Sequence, residues 1–401
     1  MPDRNLFMML ISICSYLLVN KSLKPFELMG KTFLLFIASF LSILAHSQPL
    51  QVFPVELSLL NLSGDLSDNL LSSRSIVLVD VPNGQSGKSR GDWKGFAADA
   101  HGQLKQIGVD AVAYYNINDF YAGADATKNY LSSINPRGIK NILILRKKRE
   151  ILGEEVELVI IEKKSEDGLF IPNQNAYRIQ RNALGEIMLQ LGRDIYQKNL
   201  TNENFMILDQ PEFFDDTDVV KGRRYETFNR DLKIGKLAVP AFEHFRFPKG
   251  FDSTQLSQDK LKLIQQYNQQ IDQRNSVLEG IMEAYPYKYE IVDYSQGEEH
   301  LYRREFSYVL MFLNSTGRNI RELLNYEIDL TETDYITLKT IIDDVTTLEQ
   351  IPVSTPVYKY YMKQLVNKEI YLGNQWDADL TWNEALINHI NNFKDTVEKK
   401  K

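Results

Sequence analysis

From residue 75 onward, apolar and polar positions alternate in blocks that read as strands and helices in turn. Residues 76–81 form a short unbroken apolar run, the mark of a buried strand. After Asp92 the period changes. Trp93, Phe96, Ala97, Ala100, Leu104 and Ile107 recur at helical spacing, and Gly108 stands where a C-terminal cap is expected. Residues 111–117 predict the next strand, and 125–135 a helix stopped by Pro136 and Gly138. Residues 141–145 and 156–161 predict two strands joined as a hairpin through a charged loop containing Gly153. A closing helix beginning near Ala176 carries Leu184, Ile187, Met188, Leu191 and Ile195 on one face. The order is β-α-β-α-β-β-α.

The rhythm breaks over 199–252, a stretch rich in charge and phenylalanine that contains Pro211, Pro240 and Pro248. It reads as an irregular connector with one or two short strands, such as 205–208. Residues 253–285 predict a long glutamine-rich helix with an apolar seam of Leu256, Ile264, Tyr267, Ile271, Leu278 and Ile281, ended by Pro286. Such a stripe packs across domains or pairs with a partner helix, and the first is the commoner use. From 286 the earlier pattern returns. Residues 287–294 predict a strand, 298–305 a short helix, 306–313 a strand and 317–326 a helix. Periodicity alone leaves 306–313 open to a helical reading as well. After a polar stretch, 357–365 and 368–372 predict a hairpin. The last helix starts at Thr381 and carries Trp382, Ala385, Leu386, His389 and Ile390.

The expected fold class is therefore α/β, with two tandem β-α-β-α-β-β-α units over 75–198 and 286–401. The hairpins make the sheets mixed rather than purely parallel. The second unit repeats the first in element order, as a duplicated domain would, with 76–81 matching 287–294. Residues 48–74 precede both as a lead-in without a clear period.

The N-terminal 47 residues differ. Their two apolar runs, 6–19 and 33–45, are short of the ~20 residues a membrane-spanning helix needs. The second fits the h-region of a signal peptide. Met29-Gly30-Lys31 precedes it as a basic n-region, and Ala45-His46-Ser47-Gln48 follows with small residues at −3 and −1 of a cut after Ser47. Residues 1–28 then read as an upstream extension, and the mature chain begins at Gln48. Glutamine directly after such a cut resembles the exported envelope proteins of Gram-negative bacteria of the Bacteroidetes type; the resemblance is confined to the signal. It implies a periplasmic or secreted protein that meets the membrane only through that segment. Retention of both runs as an anchor is the alternative.

Charge narrows the partners. The cut removes four basic and two acidic residues from a chain with 46 and 53, leaving a net charge of −9. An acidic chain is a poor candidate for nucleic acid. The single cysteine, Cys14, is lost as well, so the mature chain holds neither a disulfide nor a Cys-ligated metal.

Several segments invite a chemical reading. Residues 82–89, Pro-Asn-Gly-Gln-Ser-Gly-Lys-Ser, follow a strand and resemble the phosphate-binding P-loop, with Gly87, Lys88 and Ser89 in place. Pro82 replaces the first glycine and lacks its N–H, and Asp92 reads as the N-cap of the following helix. Trp376, Asp377, Asp379 and Trp382 suggest a sugar platform or a calcium corner. Thr381 and Glu384 nevertheless have the spacing of a capping box, which explains the segment structurally. Arg223 and Arg224 are suited either to ion pairs or to an anion pocket. Asp215, Asp216 and Asp218 lack EF-hand spacing. His101 and His389 lie on apolar helix flanks and read as packed rather than catalytic. No zinc-binding histidine spacing and no serine elbow occurs.

The leading expectation is a non-catalytic exported protein that binds a macromolecule, protein or glycan, or assembles in the envelope, with no cofactor and no metal. An extracytoplasmic hydrolase with carboxylates from dispersed loops is the first alternative. A nucleotide binder using 87–89 is the weaker one. Converging acids or histidines in a pocket would favour the hydrolase. An exposed apolar patch would favour the binding protein.

Overall fold

The computed structural model describes residues 52–83, 90–150, 153–165, 168–214, 220–326, 335–342 and 345–398. These belong to one compact unit, residues 51–401. They form two six-stranded mixed sheets with helices, as the α/β reading requires.

The first sheet contains β1 (Asn61–Ser63), β2 (Arg74–Asp80), β3 (Asp110–Asn116), β4 (Ile139–Glu150), β5 (Gly153–Glu162) and β6 (Asn175–Arg181), in the order β1-β6-β5-β4-β2-β3. The second contains β7 (Arg224–Tyr225), β8 (Leu237–Pro240), β9 (Tyr289–Val292), β10 (Tyr308–Thr316), β13 (Pro356–Gln364) and β14 (Ile370–Tyr371). Between β10 and β13 lies a separate hairpin, β11 (Tyr335–Ile342) and β12 (Val345–Pro352). The second sheet runs β7-β14-β13-β10-β8-β9. Numbered within each sheet, both orders read 1-6-5-4-2-3. The pairing senses also agree at every step: parallel, antiparallel, antiparallel, parallel, parallel. The likeness is one of topology.

That topology corrects the expected correspondence. The counterpart of β2 is β8, inside the stretch read as connector, and 289–292 corresponds to β3. The long helix α6 (Gln258–Met282) is the crossover from β8 to β9, the place that α2 (Trp93–Gln106) takes between β2 and β3. Residues 205–208 form no strand. Residues 175–181 are a strand, so the closing helix α5 (Leu184–Gln197) starts later than Ala176. Residues 306–313 fall largely in β10 and are not helical.

Three apolar clusters explain the layers. In β2 every residue from Ser75 to Val79 is buried because both faces are covered. Ile76 and Leu78 face one cluster, Val77 and Val79 another. Helices α2 and α5 cover the outer face of the first sheet through Leu104 and Leu191. Helices α6 and α9 (Trp382–Glu398) cover the outer face of the second through Leu278 and Phe393. The inner faces of both sheets share the central cluster, where Ile144 and Met311 meet residues of four short helices. These are α3 (Ile117–Phe120), α4 (Ala124–Ile134), α7 (Gly297–Arg303) and α8 (Gly317–Leu323). The N-terminal α1 (Val52–Ser58) adds Leu57.

The layers approach closely at Gly123. Asn314 N–H donates to Ala122 O at 2.7 Å, and a Cβ on Gly123 would stand 2.4 Å from the Phe312 carbonyl oxygen. Gly123→Ala should therefore push α4 away from β10 and lower stability by about 1–3 kcal/mol, measured by urea unfolding. An unchanged midpoint would mean that this contact relaxes at no cost.

Candidate functional site

The segments singled out in the sequence prove to be tied into the fold in several ways. Asp377 lies just before α9 and is almost fully buried. It accepts from Lys359 Nζ (2.5 Å), lies 2.9 Å from His389 Nδ1, and accepts from Asn392 Nδ2 (2.7 Å). Lys359 also donates to the carbonyls of Tyr360 and Leu372, both at 2.9 Å. Burial alone would raise the Asp377 carboxyl; Lys359 and His389 outweigh it and hold it below the usual carboxylate range. Burial pulls His389 down and favours the neutral ring. Its ring lies against those of Phe228 and Tyr360, and its Nε2 has no hydrogen-bond partner among the described residues. Asp379 accepts from Asn388 Nδ2 at 2.9 Å. The Thr381 hydroxyl accepts from the Glu384 N–H at 3.4 Å, the first half of the capping box, while the Glu384 carboxylate accepts from that hydroxyl at 2.6 Å. Trp376 packs on Tyr326 beneath the Arg321 guanidinium, and Trp382 packs edge-on against Phe242. The four residues thus do not converge on one site.

Arg224 donates to the carbonyls of Val220 (2.5 Å) and Leu323 (2.7 Å), which joins β7 to the end of α8. Arg223 is exposed, with its guanidinium 5.1 Å from the centre of the Tyr225 ring. Gly87, Lys88 and Ser89 lie outside the described residues, as do Asp215, Asp216 and Asp218. Just after that glycine-rich loop, the Asp92 carboxylate accepts from Gly95 N–H at 2.9 Å and so caps α2, the position a phosphate takes in a P-loop.

Among the described residues, three further buried clusters carry no readable sequence signal, and two of them draw their members from distant segments. Asp119 on α3 binds Arg90 through both oxygens at 2.9 Å. It also accepts from Ser315 Oγ, at the end of β10, and from Asn319 Nδ2 on α8 at 2.9 Å. Asp125 on α4 meets Lys363 (2.9 Å) and Tyr361 OH (3.1 Å), and Lys363 also reaches Glu298 at 2.6 Å. Burial works against the Lys363 charge, but Asp125 and Glu298 overcome it and raise its pKa. Glu157 on β5 collects Lys148 (2.9 Å) and Arg178 (2.6 Å), which hold it below its usual value against the effect of burial. The first two tie the first sheet's helices to the second sheet.

Among the described residues, two features stand open to a partner. One is a pocket of about 50 Å³ at the carboxyl end of β8, beside the first half of β10, walled by Val239, Phe242, Leu310, Phe312 and Tyr360. The other is the extended segment after α5. Phe205, Met206 and Leu208 are 86%, 92% and 64% exposed. Their backbone is nevertheless fastened. Glu203 N–H donates to Leu71 O (2.9 Å), Asn204 Nδ2 donates to Gly108 O (3.0 Å), and His101 Nε2 lies 3.0 Å from Leu208 O. Lys105 pairs with Asp209. Farther on, Tyr114 N–H donates to Glu212 O at 2.8 Å, so the chain rejoins the edge of β3. His101 itself is buried and lies 3.1 Å from Tyr114 OH. The run Phe-Met-Ile-Leu is visible in the sequence as a strand candidate and, with Asp209, as a look-alike of the motif that carries a Mg²⁺-linked Asp beside a P-loop.

No described helix is long and apolar enough to cross a membrane, and no group of three or more potential metal ligands occurs among the described residues. Comparisons with protein-family models, curated proteins and solved structures found no match.

Proposed function

We propose that this chain is an exported, non-catalytic binding protein that engages a protein partner in the envelope or outside the cell through the strip Phe205, Met206 and Leu208. The observation that carries this reading is the combination of a backbone fastened at both ends and apolar side chains turned to solvent. Exposed apolar residues scattered singly are ordinary, but a consecutive run held in place is a recognition feature. Its aliphatic and aromatic groups offer little to the hydroxyls of a glycan, which favours protein. Export rests on the signal-like residues 29–47. The pocket walls are apolar and aromatic, so no observation raises the hydrolase alternative above this one.

Burying each such side chain stabilises a complex by about 1.5–3 kcal/mol. The triple variant Phe205→Ser, Met206→Ser, Leu208→Ser should thus weaken partner binding by at least about a hundredfold. Gentle extraction from the producing cells, with size separation afterwards, reads this directly. The wild-type chain should travel in a larger species with a mature N-terminus at Gln48 by mass spectrometry, and the variant alone. Identical migration of the two would sink the strip as an interface. Intact Met1 or Met29 in the cytoplasmic fraction would sink export.

A further inference from the structure

We infer that the crevice at the carboxyl end of β8, beside the first half of β10, binds a small organic anion, a carboxylate on a short apolar stem, and that Arg274 takes its charge. This goes beyond the partner strip and does not depend on it. The position comes first. From β8 the chain crosses through α6 to β9 on one side, then returns through α7 to β10 on the other. Helix α6 packs on the outer face of the sheet, and α7 contributes Leu301 to the central cluster. The winding therefore reverses between β8 and β10, and such a switch point opens a crevice that doubly wound sheets use for ligands. The apolar pocket lies there.

The chemistry of the walls comes second. Every residue lining the pocket is apolar or aromatic, so the cavity itself offers no fixed charge. Asn275 on α6 clamps the wall by accepting from the backbone N–H of Phe242 at 2.8 Å and donating to its carbonyl at 3.0 Å. Trp382 supports Phe242 from behind with ring centres 4.9 Å apart. The pocket is thus held by side chains rather than left by loose packing.

Arg274 comes third. It lies one helical turn before the pocket residue Leu278 on α6, and spacing of four residues puts both on one face. Its guanidinium stands 5.6 Å from the centre of the Phe242 ring. Burial lowers its pKa, and the ionisable groups that act on it are the hydroxyls of Tyr358, Tyr267 and Tyr360, with no carboxylate among them. It forms neither a hydrogen bond nor an ion pair among the described residues. Arg90, Arg146, Arg178 and Arg246 all have carboxylate partners. A guanidinium remains charged at neutral pH, and partial burial without an anion is costly. A carboxylate satisfies its planar fork through two parallel hydrogen bonds.

Size sets the stem. A cavity of about 50 Å³ holds a few waters. It is well below the ~150 Å³ that accommodates benzene in an engineered cavity. At the same ratio of volume to carbon, a stem of about two carbons fits it. A free short-chain acid and the last residue of a peptide with a small apolar side chain share this chemistry.

The experiment titrates the full chain with propanoate, with propan-1-ol as its uncharged counterpart, and with an alanine-terminated pentapeptide carrying a free or an amidated C-terminus. Calorimetry and ¹H–¹⁵N shifts read binding. The acid should bind saturably, and Arg274→Gln should weaken it by at least about tenfold. The alcohol should bind more weakly and be indifferent to that change. Ala124→Leu, at the exposed rim of the pocket, should block the acid while leaving Arg274 and the unfolding midpoint unchanged. A free peptide that binds more tightly than the acid, with its amide inert, identifies a chain terminus as the natural source; the reverse ranking identifies a free acid. The inference is overturned if neither anion binds saturably, if Arg274→Gln binds them equally well, or if the alcohol matches the acid. None of these outcomes touches the strip Phe205–Leu208.

Discussion

Asp377→Ala should lower the unfolding free energy by about 3–5 kcal/mol, among the largest single effects expected in this chain. The reason is the pair it breaks. Lys359 is fully buried on β13, with two carbonyls and the Asp377 carboxylate as its acceptors. Without Asp377 an ammonium remains in the core without a counter-charge, and His389 and Asn392 also lose their acceptor. Urea unfolding at neutral pH measures the loss. The pH dependence gives a second reading. The folded-state carboxyl titrates below its unfolded value, so its contribution is present above about pH 4 and disappears as the pH falls through the folded pKa. Wild type and variant should therefore converge at acid pH. A loss under about 1 kcal/mol, typical of a surface ion pair, would show that the cluster is solvated.

The second large effect is expected at Asp119. Asp119→Ala removes the common acceptor of Arg90, Ser315 and Asn319 and leaves a guanidinium that is only 10% exposed without its carboxylate. The cost is again about 3–5 kcal/mol. This cluster differs from the first in what it connects. Arg90 and Asp119 come after strands of the first sheet, whereas Ser315 and Asn319 belong to the end of β10 and to α8. Its removal should loosen the first sheet from the second as well as lower the total. Unfolding monitored by fluorescence and by far-UV circular dichroism should coincide in the wild type and separate in the variant. The double variant with Arg90→Ala should recover part of the loss, because the uncompensated charge is gone. Coincident transitions in Asp119→Ala, with a small loss, would contradict the linking role.

The legibility of the sequence depends on where its periodicities are strong. The run 76–81 and the stripes of α2, α5 and α9 are long and regular, because each buries one whole face or two. Their existence and the α/β class are therefore legible. Strand β8 is four residues ending in proline within a charged stretch, too short for any period to register. Without it a crossover helix reads as a linker, and the start of the second sheet is displaced. Strand β6 alternates at Ala176, Tyr177 and Ile179, but it leads directly toward the α5 stripe and merges with it in the pattern. The hairpin β11–β12 reads as a polar stretch, although Ile336, Leu338 and Ile351 bury its base in the central cluster. The sites are less legible still. Arg90 aside, the partners described for Asp119 and Asp125 lie about 200 residues away or more along the chain, and spacing rules cannot reach them. Arg274 stands out only once its neighbours are known.

The most direct measurement of the partner-binding role is photo-crosslinking in the cells that make the chain. A benzophenone amino acid in place of Met206, 92% exposed on the strip, should give a discrete adduct with another protein on irradiation. The same group at Gln266, exposed on α6, serves as the control. A strong adduct from position 206 that is absent from 266 is the result expected of a protein interface. Equal, diffuse labelling from both positions, or none from 206, would contradict it.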